Sequence, residues 1–162
     1  MFVGSHLRDF DVVAGAAKQL AASDIEFVVV TSRSEHHRFA GLGTVTLLAG
    51  INDRDLLALY QSCDLFVMPV LDVTANNALL EAMACGAPVV ATDLPGIRDY
   101  VSESGAILTK KSDVSSLADA IDYLYRNDEK RMTMARASRE QALAFGWERV
   151  AGQVMKLYGE LI

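Results

Sequence analysis

Two short stretches of this chain hold residue types able to grip an anion, and a carboxylate follows the second. In Gly4-Ser5-His6-Leu7-Arg8 a glycine that permits close approach to the backbone is followed by an arginine, a permanent cation with five N–H donors. Leu71-Asp72-Val73-Thr74-Ala75-Asn76-Asn77 runs into a helix start, where free backbone N–H groups and the helix dipole favour phosphate. Glu81 lies one turn inside that helix, where its carboxylate can accept hydrogen bonds from sugar hydroxyls beside a phosphate held at the helix N-terminus. Taken together, the residue types point to a phosphorylated, hydroxyl-bearing ligand, without identifying it or a reaction. Simpler accounts stay open for each residue: a surface charge for Arg8, a solvated carboxylate for Glu81, a loop residue for Asp72, and helix capping alone for Asn76 and Asn77.

Other chemistries find less footing. The chain has no Gly-x4-Gly-Lys-Ser/Thr loop, and Gly4 stands outside any Gly-x-Gly-x-x-Gly run, which disfavours a nicotinamide cofactor. No cofactor is expected. His36 and His37 are neighbours in a polar stretch, and His6 has no carboxylate or cysteine at ligand spacing, so no metal site is assigned. Cys63 and Cys85 lack a C-x-x-C partner and read as buried thiols of a reducing compartment.

The elements that must position these residues alternate. Short β-branched runs at Phe2–Gly4, Glu26–Thr31, Thr44–Leu48, Asp64–Val70, Val89–Thr92 and Ala106–Leu108 are separated by stretches of helical period. Helices are expected from about Asp9 to Ala22, after the cap candidates Asn52, Asp53 and Asp55, and from Asn76 to Cys85, where Gly86-Ala87-Pro88 supplies a stop. Ser32–Gly43 reads as a polar loop. Past Ser112 three helices follow: one carrying Val114, Leu117, Ile121 and Leu124, one over Met132–Ala144, and one marked by Trp147, Val150, Val154, Tyr158 and Leu161. Trp147 and Tyr158 are expected in a core or a docking contact. This pattern predicts an α/β fold: a single Rossmann-like, doubly wound parallel sheet of about six strands with extra C-terminal helices. Ligands of such sheets bind at the carboxyl ends of the strands, near a switch point.

Length and composition agree with one domain. At 162 residues the chain is close to the roughly 150 of a single unit, and 51% apolar residues suffice for a core. Fifteen Lys and Arg against 21 Asp and Glu give a formal charge of −6, which argues against a nucleic-acid partner. The apolar runs fall short of the roughly 20 residues of a membrane helix. The N-terminus carries no secretory signal, so the cytoplasm is the expected location.

The stretch Pro69 to Thr92, with Glu81-Ala82-Met83-Ala84-Cys85-Gly86-Ala87-Pro88-Val89-Val90 at its heart, resembles the donor-binding signature of the retaining family-4 glycosyltransferases of the GT-B fold. The surrounding order is similar too: Val3-Gly4 and Arg8-Asp9 at the start, Asp55-Leu56, Tyr60 and Asp64-Leu65 before the signature, Gly96, Asp99 and Val101 after it, and a tail from Phe145 and Trp147 to Tyr158. The resemblance covers essentially the whole chain. It implies the C-terminal, nucleotide-sugar-binding half of such an enzyme.

By that resemblance Glu81 holds the ribose hydroxyls of a nucleoside-diphosphate sugar, and Asn76 and Asn77 present backbone N–H groups to its diphosphate. Gly4, Ser5, Arg8 and Asp72 complete the expected site, with Arg8 and Glu81 the candidate catalytic residues. Two positions depart from the pattern. Val73 stands where the family has a sugar-binding glutamate, and Ser5 where it has an arginine, leaving Arg8 as the one cation of the first loop. The N-terminal acceptor domain of the resembling enzymes is expected to be absent, so the chain alone should bind donor and transfer little. Partners implied are the nucleoside-diphosphate sugar, an acceptor-domain chain and, through an uncovered interdomain face, a second copy. Alternatives are a catalytically silent nucleotide-binding or assembly module and an epimerase or hydrolase half of the same architecture.

Overall fold

A computed structural model describes residues 1–73 and 76–160. Its strands are β1 (Phe2–Val3), β2 (Phe27–Val30), β3 (Val45–Leu48), β4 (Phe66–Met68), β5 (Val89–Thr92) and β6 (Ala106–Thr109). The helices are α1 (Phe10–Gln19), α2 (Asp53–Ser62), α3 (Asn77–Ala84), α4 (Pro95–Arg98), α5 (Val114–Arg126), α6 (Asp128–Ala142) and α7 (Trp147–Glu160). Every ladder is parallel, in two three-stranded sheets ordered β1-β2-β3 and β4-β5-β6. The single six-stranded sheet expected from the sequence is thus corrected to two. The two-residue β1 forms its ladder with β2 and none with β4.

The two edges nevertheless meet. The Val67 N–H donates to the Met1 carbonyl at 2.8 Å, and the Met1 ammonium donates to the Leu65 carbonyl at 2.7 Å. At the other end Asp9 N–H reaches the Pro69 carbonyl at 3.0 Å and Leu71 N–H the Leu7 carbonyl at 2.9 Å. The spatial order is therefore β3-β2-β1-β4-β5-β6, with its reversal between β1 and β4. In a doubly wound fold this is where a crevice opens at the carboxyl ends of the strands.

The alternation of a pleated strand distributes side chains to two faces. Phe2, Val29, Val67 and Val90 join α1 and α5 in one buried cluster, with Phe10, Val13, Ala16, Leu117 and Leu124. Val3, Phe66, Met68, Val89 and Ala91 join α3 in the other, with Tyr60, Leu79, Met83 and Ile97. Both faces being covered explains why Asp64–Val70 reads as an unbroken apolar run.

Several boundaries shift. The first helix is shorter than Asp9–Ala22, because Asp9 caps it through Val12 N–H and Ser23 Oγ closes its end on the Leu20 carbonyl at 2.6 Å. Ser32–Gly43 is not all loop: Arg33–Phe39 winds as a 3₁₀ helix that buries Phe39 against Phe10. The sixth helix starts at Asp128 rather than Met132. Trp147 is 87% exposed, and no described residue of α7 is buried, so the core or docking role expected of Trp147 and Tyr158 is not realised. Leu161, expected on the same helix, lies outside the described residues.

Candidate active site at the β1–β4 switch point

Six of the seven residues singled out from the sequence converge. Gly4, Ser5, Arg8, Asp72, Asn76 and Asn77 line one cavity of about 280 Å³, together with His6, Leu7, Val73 and Ala78. The cavity sits over the sheet reversal, between the turn after β1 and the start of α3. Thr74 and Ala75, within the signature stretch, lie outside the described residues.

The β1–α1 turn is built around a glycine and an arginine. Gly4 has φ +113°, and a Cβ placed on it would lie 2.8 Å from Arg8 Nη2 and 2.9 Å from Arg8 Nε. The guanidinium thus lies on bare backbone. Its Nε donates to the Val3 carbonyl at 2.9 Å, Nη1 to the His6 carbonyl at 3.5 Å and Nη2 to Asn76 Oδ1 at 3.4 Å. Among the described residues these bonds engage three of the five N–H donors, and Arg8 forms no ion pair. Burial lowers its pKa from the ordinary arginine value. A desolvated cation without a carboxylate gains most from an anion brought to it.

Asn76 joins this turn to α3. The same Oδ1 that faces Arg8 accepts from Leu79 N–H at 3.2 Å, capping the helix. Both accounts of Asn76 hold: it is a cap and it borders the cavity. Capping leaves other first-turn N–H groups of α3 without intrahelical partners, and they face the side on which Arg8 lies. Asp9, next to Arg8, is only 7% exposed. Its carboxylate accepts from Val12 N–H at 3.3 Å and Ser112 Oγ at 2.8 Å, so it holds α1 and the β6–α5 turn together.

Ser5 is turned away from this role. Its Oγ pairs with Thr31 Oγ1 at 3.0 Å and accepts from Ser32 N–H at 3.2 Å, which ties the turn to the end of β2. Asp72 is exposed, and its Oδ1 accepts from Val73 N–H at 2.8 Å. Val73 borders the cavity and packs against Gly96: a Cβ on Gly96 would lie 2.9 Å from Val73 Cγ1. Val73 thus makes an apolar contact where the resemblance leads one to expect a carboxylate.

Glu81 does not line the cavity. It is exposed on α3, one turn beyond Asn77, and its charge is felt by Tyr60, whose hydroxyl is held well above the ordinary tyrosine pKa, first by burial and then by Glu81. Sequence reasoning did not place Tyr60 near the site. Its position in a helical pattern gave no signal for a polar role. The left-handed Leu7, φ +55°, was equally hidden. Among the described residues no group of three His, Cys, Asp or Glu side chains could hold a metal. The two thiols are free and half-buried rather than buried, each with its pKa raised by burial. A larger hollow of about 500 Å³ lies at the amino ends of the strands beside Met1, Glu26, Asp64 and Arg131, and none of the expected ligand residues borders it.

The family of group 1 glycosyl transferases matches residues 1–127. The D-inositol 3-phosphate glycosyltransferase of Corynebacterium urealyticum is 34% identical over 108 residues, covering 66% of this chain and 26% of that protein. The chain thus spans about a quarter of that curated relative. Among solved structures, the sucrose-phosphate synthase of Thermosynechococcus elongatus superposes with a TM-score of 0.85 at 26% identity, covering 99% of this chain and 44% of that one. The Anabaena protein HepE, solved in complex with UDP, superposes with a TM-score of 0.79 at 22% identity, covering 98% and 48%. Its likeness is one of fold. With the cavity at the sheet reversal and a family match over more than three quarters of its length, this chain belongs to the group 1 glycosyltransferases of the GT-B fold.

Proposed function

We propose that this chain is the C-terminal, donor-binding half of a glycosyltransferase and that it takes a nucleoside-diphosphate sugar at the β1–β4 switch point. The observation that carries this reading is the half-buried Arg8 guanidinium, which lies on Gly4 and against Asn76 at the start of α3, with no carboxylate partner among the described residues. The diphosphate sits against the remaining N–H groups of Arg8 and the first-turn N–H groups of α3. A cavity of about 280 Å³ suits the phosphates and the adjoining sugar rather than a whole donor, since complete small-molecule sites run from about 300 Å³ upward. Glu81, one turn along, takes the ribose hydroxyls at the open flank. The same fold holds UDP in the Anabaena structure.

In the transfer step the bond from the sugar's anomeric carbon to the diphosphate oxygen breaks and a bond to an acceptor oxygen forms. Negative charge collects on the departing diphosphate, where Arg8 and the α3 dipole stabilise it. The acceptor is bound by a second unit facing the cavity, so that donor binding belongs to this chain and transfer to the pair. A second reading is favoured by Ser5 and Val73: with one hydroxyl committed to Thr31 and one side chain packed on Gly96, the chain is a silent nucleotide-binding or assembly module of the same fold.

Calorimetric titration with UDP, GDP and ADP tests the shared core of both. One of the three is expected to bind, and Arg8→Gln to weaken it at least tenfold, about 1.4 kcal/mol, with the thermal midpoint monitored in parallel. Equal affinity in the parent and a folded Arg8→Gln variant would remove the anion site. Pairing the chain with an acceptor domain and following sugar transfer then separates the two readings.

A further inference from the structure

Tyr60 is a residue whose ring the fold explains and whose hydroxyl it does not. It lies near the end of α2, 2% exposed, with its ring 5.9 Å from that of Phe66 and among Val3, Leu79, Ala82 and Met83. A phenylalanine would fill the same space. The hydroxyl oxygen is buried and has no hydrogen-bond partner among the described residues, and a buried donor without an acceptor is costly.

Two charged groups act on that hydroxyl, from opposite sides of the seam between the β1–α1 turn and α3. The Glu81 carboxylate raises its proton affinity and the Arg8 guanidinium lowers it, burial being the largest influence. The action on Arg8 is reciprocal. The hydroxyl thus feels the two residues to which the donor reading gives the diphosphate and the ribose. The chemistry is complementary: a guanidinium only donates, a carboxylate only accepts, and a neutral hydroxyl can accept from one while donating to the other. Glu81 is exposed and forms no ion pair among the described residues, so its carboxylate is uncommitted.

We propose that Tyr60 is a positioning residue whose hydroxyl donates to the Glu81 carboxylate in the folded protein, fixing a side chain that would otherwise swing free in solvent and orienting it for its ligand. The role assigned to the Glu81 ligand rests on the donor reading given above. The contact between the two side chains does not. Without it, Glu81 would have to be ordered anew each time a ligand bound. With it, the carboxylate is held ready and Tyr60 gains its missing acceptor.

Tyr60→Phe is the variant to make, with Glu81→Ala and the double variant beside it. Calorimetry with UDP, GDP and ADP on each should show a three- to tenfold loss for Tyr60→Phe, and the double variant no weaker than Glu81→Ala alone. Tyr60→Phe should stay folded with a modestly lowered thermal midpoint, since the ring still fills its space and one hydrogen bond is lost. Unchanged affinity, or a Tyr60→Phe loss that persists in full when Glu81 is already alanine, would overturn the proposal. So would a Tyr60→Phe chain that fails to fold, since the hydroxyl would then serve packing. The ligand-free protein supplies a separate arm. Its proton spectrum should contain a slowly exchanging Tyr60 hydroxyl resonance with a cross-peak to the Glu81 side chain, lost in Glu81→Ala. Absence of the cross-peak sinks the proposal on its own. If none of the three nucleotides binds, the donor reading fails, while the cross-peak still decides the contact.

Discussion

Gly4 and Arg8 act as one device, because the guanidinium occupies the space a side chain at position 4 would need. Gly4→Ala would place a methyl group 2.8 Å from Arg8 Nη2 and hold an L-residue at φ +113°. Strain of that kind costs about 1–3 kcal/mol, and the displaced guanidinium loses its seat over the cavity. Urea unfolding should show the loss in stability, and titration with the best-bound nucleoside diphosphate a loss of affinity exceeding that of Ser5→Ala. A Gly4→Ala chain that binds as the parent does would mean that Arg8 reaches the ligand from elsewhere. That Gly4, Arg8, Asn76 and Asn77 gather at one cavity was readable from residue type and helix position. What stayed hidden at this scale depends on distant partners: Ser5 is committed to Thr31 across 26 positions, Val73 to Gly96, and Tyr60 to a seam formed only when α2 and α3 pack.

At the scale of elements, α3 matters most, since it presents both its N-terminus and Glu81. Its start is set by the Asn76 cap, and its end by Gly86, φ +81°, in the left-handed conformation that glycine adopts at such stops. Its outer face is braced by α6. There the fully buried Ser138 donates its Oγ to the Ala87 carbonyl at 2.8 Å, pinning the turn that follows α3. Ser138→Ala strands that carbonyl and should cost about 1–2 kcal/mol, measured by urea denaturation, with nucleotide affinity unchanged because the site is on the opposite end of α3. A neutral effect would show the carbonyl finding another donor. Apart from the four-residue α4, whose length is too short for a period, the order and type of the strands and α-helices followed from hydrophobic period. The 3₁₀ helix at Arg33–Phe39 did not, because its single anchor, Phe39 against Phe10, is too sparse to form a period. The split of the sheet was hidden for a related reason: β1 has two residues, and pairing length is set by the partner strand as much as by local sequence.

At the scale of the whole molecule α7 is the anomaly. Trp147, Val154, Met155, Leu157 and Tyr158 are all exposed, whereas the segment before α7 is docked through Phe145, whose ring lies 5.3 Å from that of Tyr100. Exposed apolar side chains gathered on one helix mark a contact surface, and on the donor reading its occupant is the acceptor-binding unit or, failing that, a second copy of this chain. No described helix is long and apolar enough to cross a membrane. Ending the chain at Gly146 keeps the Phe145 contact and removes a helix with no buried residue among those described. Burial supplies the main stabilisation of a fold, so the shortened chain should unfold within about 1 kcal/mol of the parent, the range of changes that touch no core. Sedimentation over a wide concentration range should show the parent associating as concentration rises and the shortened chain remaining a monomer. An early unfolding transition in the shortened chain would mean that α7 docks onto this domain in solution, and the surface offered to a partner would then have to lie elsewhere.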